Sequence, residues 1–187
     1  MTQEDAAALL REVGALMDGH FLLTSGRHSP VYVEKFRLLE SPPHTERLCS
    51  LIAERFRGDA PDLVAGPTTG GIILSYEVAR QLGLRGIFAE KAAEGPGREF
   101  GRGFQVRPGQ RTLVVDDVLT TGGSVIDVID ALRRAGGEPI GVGVLVDRSG
   151  GSTDFGVPFH ACLTLDLPSY DPDACPLCES GAPLVAT

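Results

Sequence analysis

The sequence predicts an α/β fold: a central parallel sheet flanked by helices, with a small cap built from both chain ends. Three observations lead there. From Asp62 onward, short apolar runs alternate with amphipathic stretches through Gly-rich turns, the rhythm of βαβ units on a parallel sheet. The 187 residues, 42% hydrophobic and 22% charged, suffice for one ordinary core. Strand-like segments at both ends lie outside the βαβ rhythm. A single domain over residues 1–187 is therefore expected, with a core of about 41–150 and a cap from about 1–40 and 151–187.

Taken in order, residues 3–18 place Leu9, Leu10, Val13, Leu16 and Met17 on one helical face, so a helix is expected there. Phe21–Leu23 and Val31–Val33 read as two strands around a turn containing Ser25, Gly26 and Pro30. Pro43–Phe56 reads as a helix through Leu48, Leu51, Ile52 and Phe56. The repeating part follows, with strands at Asp62–Gly66, Gly86–Glu90, Thr112–Asp116 and Ile140–Asp147 and helices at Ile72–Leu82 and Ser124–Arg134. Ala92–Gly103 between them is polar and carries four glycines. Phe159–Leu167 is strand-like again, and a Pro-rich loop closes the chain.

Composition excludes several classes. Lys and Arg number 17 against 25 Asp and Glu, a net charge of −8, so the basic footprint of a nucleic-acid binder is missing. No apolar run reaches the ~18 residues of a membrane span. The acidic opening Met1–Asp5 lacks the basic region of a signal peptide, and a cytoplasmic protein with no membrane partner is expected. Four cysteines are too few for a disulfide scaffold and read as reduced thiols. Cys175-Pro-Leu-Cys178 has the spacing of half a zinc site or a redox pair, but no second pair accompanies it, so a metal-free structural turn is expected. His28 reads as an exposed turn residue, while His20, His44 and His160 carry no assigned role.

The most informative segment is Leu113–Ser124. An apolar strand empties into Asp116 and Asp117; then Thr120, Thr121, Gly122, Gly123 and Ser124 lead into a helix. Glycines allow close backbone approach, hydroxyls donate, and the helix start offers free N–H groups to an anion, so a phosphorylated ligand is expected. Two acids beside a phosphate make sense when the same ligand presents hydroxyls, as ribose does. No Walker loop and no G-x-G-x-x-G after a strand occurs.

This stretch resembles the phosphoribosyl-pyrophosphate (PRPP) motif of the type I phosphoribosyltransferases. The resemblance implies that Asp116 and Asp117 hold the ribose 2- and 3-hydroxyls and act catalytically, that Val118, Leu119 and Thr120–Ser124 line the PRPP site, and that Thr120–Ser124 cradle the 5-phosphate. Phe21–Val33, with Ser25-Gly26-Arg27-His28-Ser29-Pro30 inside it, is similar to the amino-terminal signature of orotate phosphoribosyltransferases. Orotate is a flat ring bearing a carboxylate. Amides at Ser25 and Gly26 suit the carboxylate and Tyr32 suits the ring, although the same residues also fit a surface hairpin with Tyr32 in the core. At Val144–Arg148 a buried strand ends in Asp147-Arg148. The family implies Arg148 as an orotate contact, with Thr120 beside it, whereas an isolated Asp-Arg pair would read as a surface ion pair.

Thr68, Thr69 and Gly70 fall in the turn after Asp62–Gly66 and are the expected pyrophosphate loop. Thr69 stands where the family often has a lysine. Lys91 corresponds to a catalytic, PRPP-binding lysine, and residues 92–103 to a mobile loop shared across a homodimer. Glu94 and Gly95 stand where the family has loop cations; Arg98 and Arg102 are candidate substitutes, and the segment also fits an idle surface loop. Lys35 is expected near the base. The implied reaction uses PRPP and orotate with Mg²⁺ carried by PRPP, and no protein metal site is expected. A phosphoribosyltransferase for another base and a non-catalytic PRPP-sensing regulator are the alternatives.

Overall fold

The structure, a computed structural model, describes residues 2–187. Helix α1 covers Gln3–Glu12 and begins on a reciprocal cap: Thr2 Oγ1 accepts from the Asp5 amide at 3.2 Å, and the Thr2 amide donates to the Asp5 carboxylate at 2.8 Å. It stops six residues short of the expected Asp18, because Gly14 takes the left-handed conformation at φ 68° and turns the chain. Leu16 and Met17 then open strand β1 (Leu16–Leu22), which pairs antiparallel with β2 (His28–Val33).

A short helix α2 (Lys35–Leu39) buries Leu38 and Leu39; its five residues are too few to register as helical periodicity. Helix α3 spans Pro42–Arg57, with prolines in its first turn where their missing N–H costs nothing. The βαβ series follows: β3 (Leu63–Pro67), α4 (Gly70–Leu82), β4 (Arg85–Lys91), β5 (Arg98–Glu99), β6 (Arg111–Leu119), α5 (Gly123–Arg134), β7 (Glu138–Asp147) and β8 (Phe159–Thr164). A 3₁₀ turn at Pro172–Ala174, a one-turn helix α6 (Pro176–Glu179) and β9 (Val185–Ala186) complete the chain.

The main sheet runs β5-β4-β3-β6-β7-β8, parallel throughout except for β5, which folds back antiparallel on β4. Helices cover both faces, so the central strands are buried on both sides and read as unbroken apolar runs. Along β6 the side chains still alternate. Leu113 and Val115 face a core with Leu48, Ile52, Phe56, Leu74 and Leu145, while Val114 faces Val125, Val128, Leu132 and Val142 on the α5 side. Strand β8, inside the range expected for the cap, is the edge strand of this main sheet. The smaller sheet, β2-β1-β9, joins the two chain ends: Phe21 and Leu22 pair in parallel with Val185 and Ala186.

Close approach of α3 to β7 depends on two glycines. A Cβ at Gly141 would overlap the Phe56 ring, and one at Gly143 would overlap Ile52. Gly141→Ala is expected to lower the unfolding free energy by about 1–3 kcal/mol through overpacking. The added change Phe56→Leu should recover part of that loss in a double-mutant comparison. Urea denaturation measures both, and an unchanged midpoint for Gly141→Ala would contradict the packing account.

Candidate functional site

Strand β6 carries Asp116 and Asp117 to its carboxyl end, where both are buried, 8% and 2% exposed. The chain then turns through Thr120, Thr121 and Gly122. Gly122 sits at φ 81°, a conformation that glycine adopts without strain, and α5 starts at the next residue. Thr120 through Ser124 curl with Asp116 around a cup of about 60 Å³. The first turn of α5 contains no acidic residue, so its free N–H groups face the cup without an anion from their own turn.

The turn between β3 and α4 presses against this cup. A Cβ at Gly70 would overlap the Asp117 carboxylate, so only glycine fits there. Thr68 donates its amide to the Ala89 carbonyl at 3.0 Å, the Thr68–Thr69 peptide is cis, and Thr69 leads directly into α4. Arg98 spans the two turns. Its guanidinium, largely buried on β5, donates to Thr68 Oγ1 at 3.0 Å, to the Ala89 carbonyl at 3.1 Å and to Ser124 Oγ at 3.3 Å, and its Nε is buried without a partner. Of the two arginines raised as substitutes for the loop cations, Arg98 is thus built into the site. Arg102 is exposed and chelates Glu90 instead, at 2.8 and 3.0 Å.

Lys91 is exposed at the end of β4 and forms no ion pair among the described residues. The ammonium beside the acids belongs to Lys35. Its Nζ lies 2.9 Å from Asp117 Oδ2 and 3.1 Å from Oδ1, while Asp117 Oδ1 also accepts from the Val118 amide at 2.6 Å. Asp116 accepts from the Asp117 amide at 2.9 Å. Burial, followed by the neighbouring Asp117 charge, pushes the Asp116 carboxyl up to about 7; Lys35 and Arg98 pull it the other way.

A second cleft, about 540 Å³, adjoins the first, and Val118 and Thr120 belong to both. Ser25, Tyr32, Lys35 and Arg148 complete its polar and aromatic walls. Tyr32 is tilted against Phe21 with ring centroids 5.6 Å apart, so it both packs and faces the cleft. Gly26 supplies the turn itself, at φ 79°, and its amide donates to the Leu23 carbonyl at 2.8 Å. Arg148 is half-buried, and that burial lowers its pKa from the ordinary arginine value. Asp147 is not its surface partner. It is fully buried and accepts from the amides of Ser149 at 2.7 Å and Gly151 at 3.0 Å, which shapes the turn presenting Arg148. Of residues 92–103, expected as a mobile loop, Arg98 and Glu99 pair back on β4 as a short hairpin with Arg98 as its buried anchor.

One histidine expectation is overturned. His28 is buried, 5% exposed, and lies beside His20, also buried, and the Cys175–Cys178 turn.

Together these features define an α/β protein with an anion cup and an adjoining cleft at the carboxyl ends of its parallel strands. Residues 37–154 match the family model described as the phosphoribosyl transferase domain. The chain is 50% identical over 185 residues to an orotate phosphoribosyltransferase of Pelotomaculum thermopropionicum, covering 99% of this chain and 96% of that one. It is 46% identical, over the same shares, to one of Desulforamulus reducens. The crystal structure of orotate phosphoribosyltransferase from Aeropyrum pernix superposes with a TM-score of 0.69 at 30% identity, over 85% of this chain and 93% of that one. The chain belongs to the orotate phosphoribosyltransferases.

The Asp116 shift carries a sign. A carboxyl raised from 3.8 to about 7 holds its proton longer in the folded chain than in the unfolded one. Folded protein therefore binds more protons across that window, and the group's contribution to stability falls as pH rises through it. Asp116→Asn should flatten this fall. Denaturation series between pH 4 and pH 8 measure it, and parallel profiles for the two proteins would contradict the raised carboxyl.

Proposed function

We propose that this chain transfers the 5-phosphoribosyl group of PRPP to orotate, giving orotidine 5-phosphate and pyrophosphate in pyrimidine biosynthesis. The observation that carries the reading is the shared wall of the two clefts. Val118 and Thr120 line both the anion cup and the cationic, aromatic-walled cleft, so a donor in one and an acceptor in the other would meet across them.

In this reading Thr120–Ser124 and the start of α5 hold the 5-phosphate, and Asp116 and Asp117 accept from the ribose 2- and 3-hydroxyls. Thr68, Thr69 and Gly70 receive the pyrophosphate through amides and hydroxyls, with Arg98 tying that turn to Ser124. Arg148 and Lys35 face the orotate carboxylate, Tyr32 lies against its ring, and Ser25 and Thr120 close the rim. An orotate nitrogen attacks C1 of the ribose as the C1–oxygen bond to pyrophosphate breaks, the electron pair leaving on pyrophosphate and the proton of that nitrogen passing to solvent, so the nucleophile comes from the substrate itself. Mg²⁺ carried with PRPP would neutralise the leaving pyrophosphate. The protein contributes position and field: the paired carboxylates favour the positive charge that develops on the ribose, and the two clefts hold the reactants in line.

Lys35 must leave Asp117, or share it, when the diol arrives. The ion pair thus keeps a buried carboxylate compensated in the ligand-free chain and frees an ammonium beside the base when the donor binds. We assign Lys91 to the outer rim of the donor site, reached when the β4–β5 hairpin moves. A homodimer sharing residues 92–103 is part of the proposal; the exposed hairpin tip at Glu94–Gly95 and the exposed Ile73 and Tyr76 on α4 support it. We place the protein in the cytoplasm, where four free thiols are at home. Among the described residues no helix is long and apolar enough to cross a membrane.

A PRPP-sensing regulator is favoured by one observation, the absence of a lysine at Thr69 and of cations at Glu94 and Gly95. Ultraviolet loss of orotate in the presence of PRPP and Mg²⁺ decides between them, since a regulator binds without turnover. Replacing orotate by uracil tests the base, because uracil leaves Arg148 and Lys35 without a carboxylate. Arg148→Ala should raise the KM for orotate by roughly 10- to 100-fold, the worth of about 1.5–3 kcal/mol for a charged hydrogen bond. The KM for PRPP should change far less, and equal effects on both substrates would overturn the role of Arg148.

A further inference from the structure

Away from the reaction site, the cap contains a knot of four side chains drawn from three places in the chain. His20 lies on β1, His28 on β2, Cys175 at the N-cap of α6 and Cys178 within its single turn. One ligating atom from each lies within 4.8 Å of all the others. His20 Nε2 is 3.0 Å from His28 Nδ1, 3.6 Å from Cys175 Sγ and 3.7 Å from Cys178 Sγ, and Cys178 Sγ is 3.3 Å from His28 Nδ1. Both histidines and Cys175 are buried, and only Cys178 reaches the surface.

These separations are the edges of a tetrahedron around one ion. With zinc–nitrogen bonds of about 2.0–2.1 Å and zinc–sulfur bonds of about 2.3 Å, tetrahedral angles give N···N edges of roughly 3.3 Å and N···S edges of roughly 3.6 Å. A two-iron cluster, which can also take two Cys and two His, holds each pair on a separate iron and would need the pairs farther apart.

The orientation of His20 is an independent observation. Its Nδ1 lies 2.9 Å from the carbonyl oxygen of Ala182. A carbonyl only accepts, so Nδ1 carries the proton and donates it, and the lone pair of Nε2 points into the knot. A backbone carbonyl that sets the tautomer from behind is the usual support of a metal-ligating imidazole.

We propose that His20, His28, Cys175 and Cys178 form a closed structural site for one divalent transition metal ion, zinc by the softness of its thiolates and its tetrahedral shape. Binding displaces the two thiol protons, so two thiolates, two neutral imidazoles and one dication sum to zero charge in a buried place. With no open position the ion activates no water; it fastens. It ties the α6 turn to the β1–β2 hairpin, alongside the β1–β9 pairing and the bridge between His28 and Tyr170. That hairpin carries Ser25 and Tyr32, so the ion would hold one wall of the second cleft in place. The proposal replaces the metal-free turn expected from Cys175-Pro-Leu-Cys178: the missing half of the site would be histidines about 150 residues away.

The test uses the full chain, produced with zinc present, purified without chelator and dialysed. Elemental analysis should find one zinc per chain, and Cys178→Ser and His20→Ala should reduce it to background. Apo protein titrated with Co²⁺ should develop visible tetrahedral bands and a thiolate-to-cobalt charge-transfer band that saturate at one equivalent. This second readout needs only the wild-type fold. A strong chelator should lower the Tm of the wild type and leave that of Cys178→Ser unmoved. The proposal is overturned by wild-type protein without stoichiometric metal and without the cobalt–thiolate bands, or by a Cys175–Cys178 disulfide in its place.

Discussion

Two carboxylates held side by side at the buried end of a central strand are the constraint around which the other parts are arranged. Asp116 and Asp117 cannot both be ionised there without compensation, because burial and mutual repulsion each disfavour charge. The compensation comes from outside the sheet. Lys35, at the first turn of α2, reaches in to chelate Asp117, and amides of the strand end bond both acids. The same contact joins the cap to the core, so the electrostatics of the two acids and the placement of the second cleft are one problem. Gly70 follows from it too, since the β3–α4 turn can approach only where no side chain stands against Asp117.

In the function proposed above, the folded chain is set to receive a polyol that is also a polyanion. Its anion cup is built from amides, hydroxyls and a helix start, with Asp116 at its edge. Its acids face the place where hydroxyls would sit, and its cations stand one step away, Lys35 and Arg148 in the base cleft and Arg98 behind the two turns. Opposite charges meet in this crevice at the Lys35–Asp117 pair, and Arg148 stands apart in the second cleft; the crevice lies at the carboxyl ends of parallel strands, as expected for open α/β sheets. A tilted aromatic pair, Phe21 and Tyr32, and a turn shaped by buried Asp147 hold the base side in register.

What the sequence made legible was whatever is contiguous in it. The βαβ rhythm, the β6–α5 turn and the Val144–Arg148 strand end each place their functional groups within a dozen residues, and local pattern suffices to read them. What stayed hidden depends on distance along the chain. Lys35 meets Asp117 across 82 residues, and Arg98 meets Thr68 across 30; no spacing rule links either pair. Helix α1 was read six residues too long because an amphipathic pattern continued past Gly14, and only the left-handed conformation there ends it. The Cys-x-x-Cys turn looked like half a site because its partners lie on the other end of the chain, brought near by the same small sheet that makes the cap.

The central claim is that the acids at the end of β6 hold the diol of a ribose while the start of α5 holds its phosphate. Crystals soaked with PRPP and Mg²⁺ test it most directly. The account predicts density for the ribose with its 2- and 3-hydroxyls on Asp116 and Asp117, its 5-phosphate against Thr120–Ser124, and the Lys35 ammonium shifted off Asp117. A donor bound elsewhere, with that crevice vacant and the Lys35–Asp117 pair intact, would contradict it.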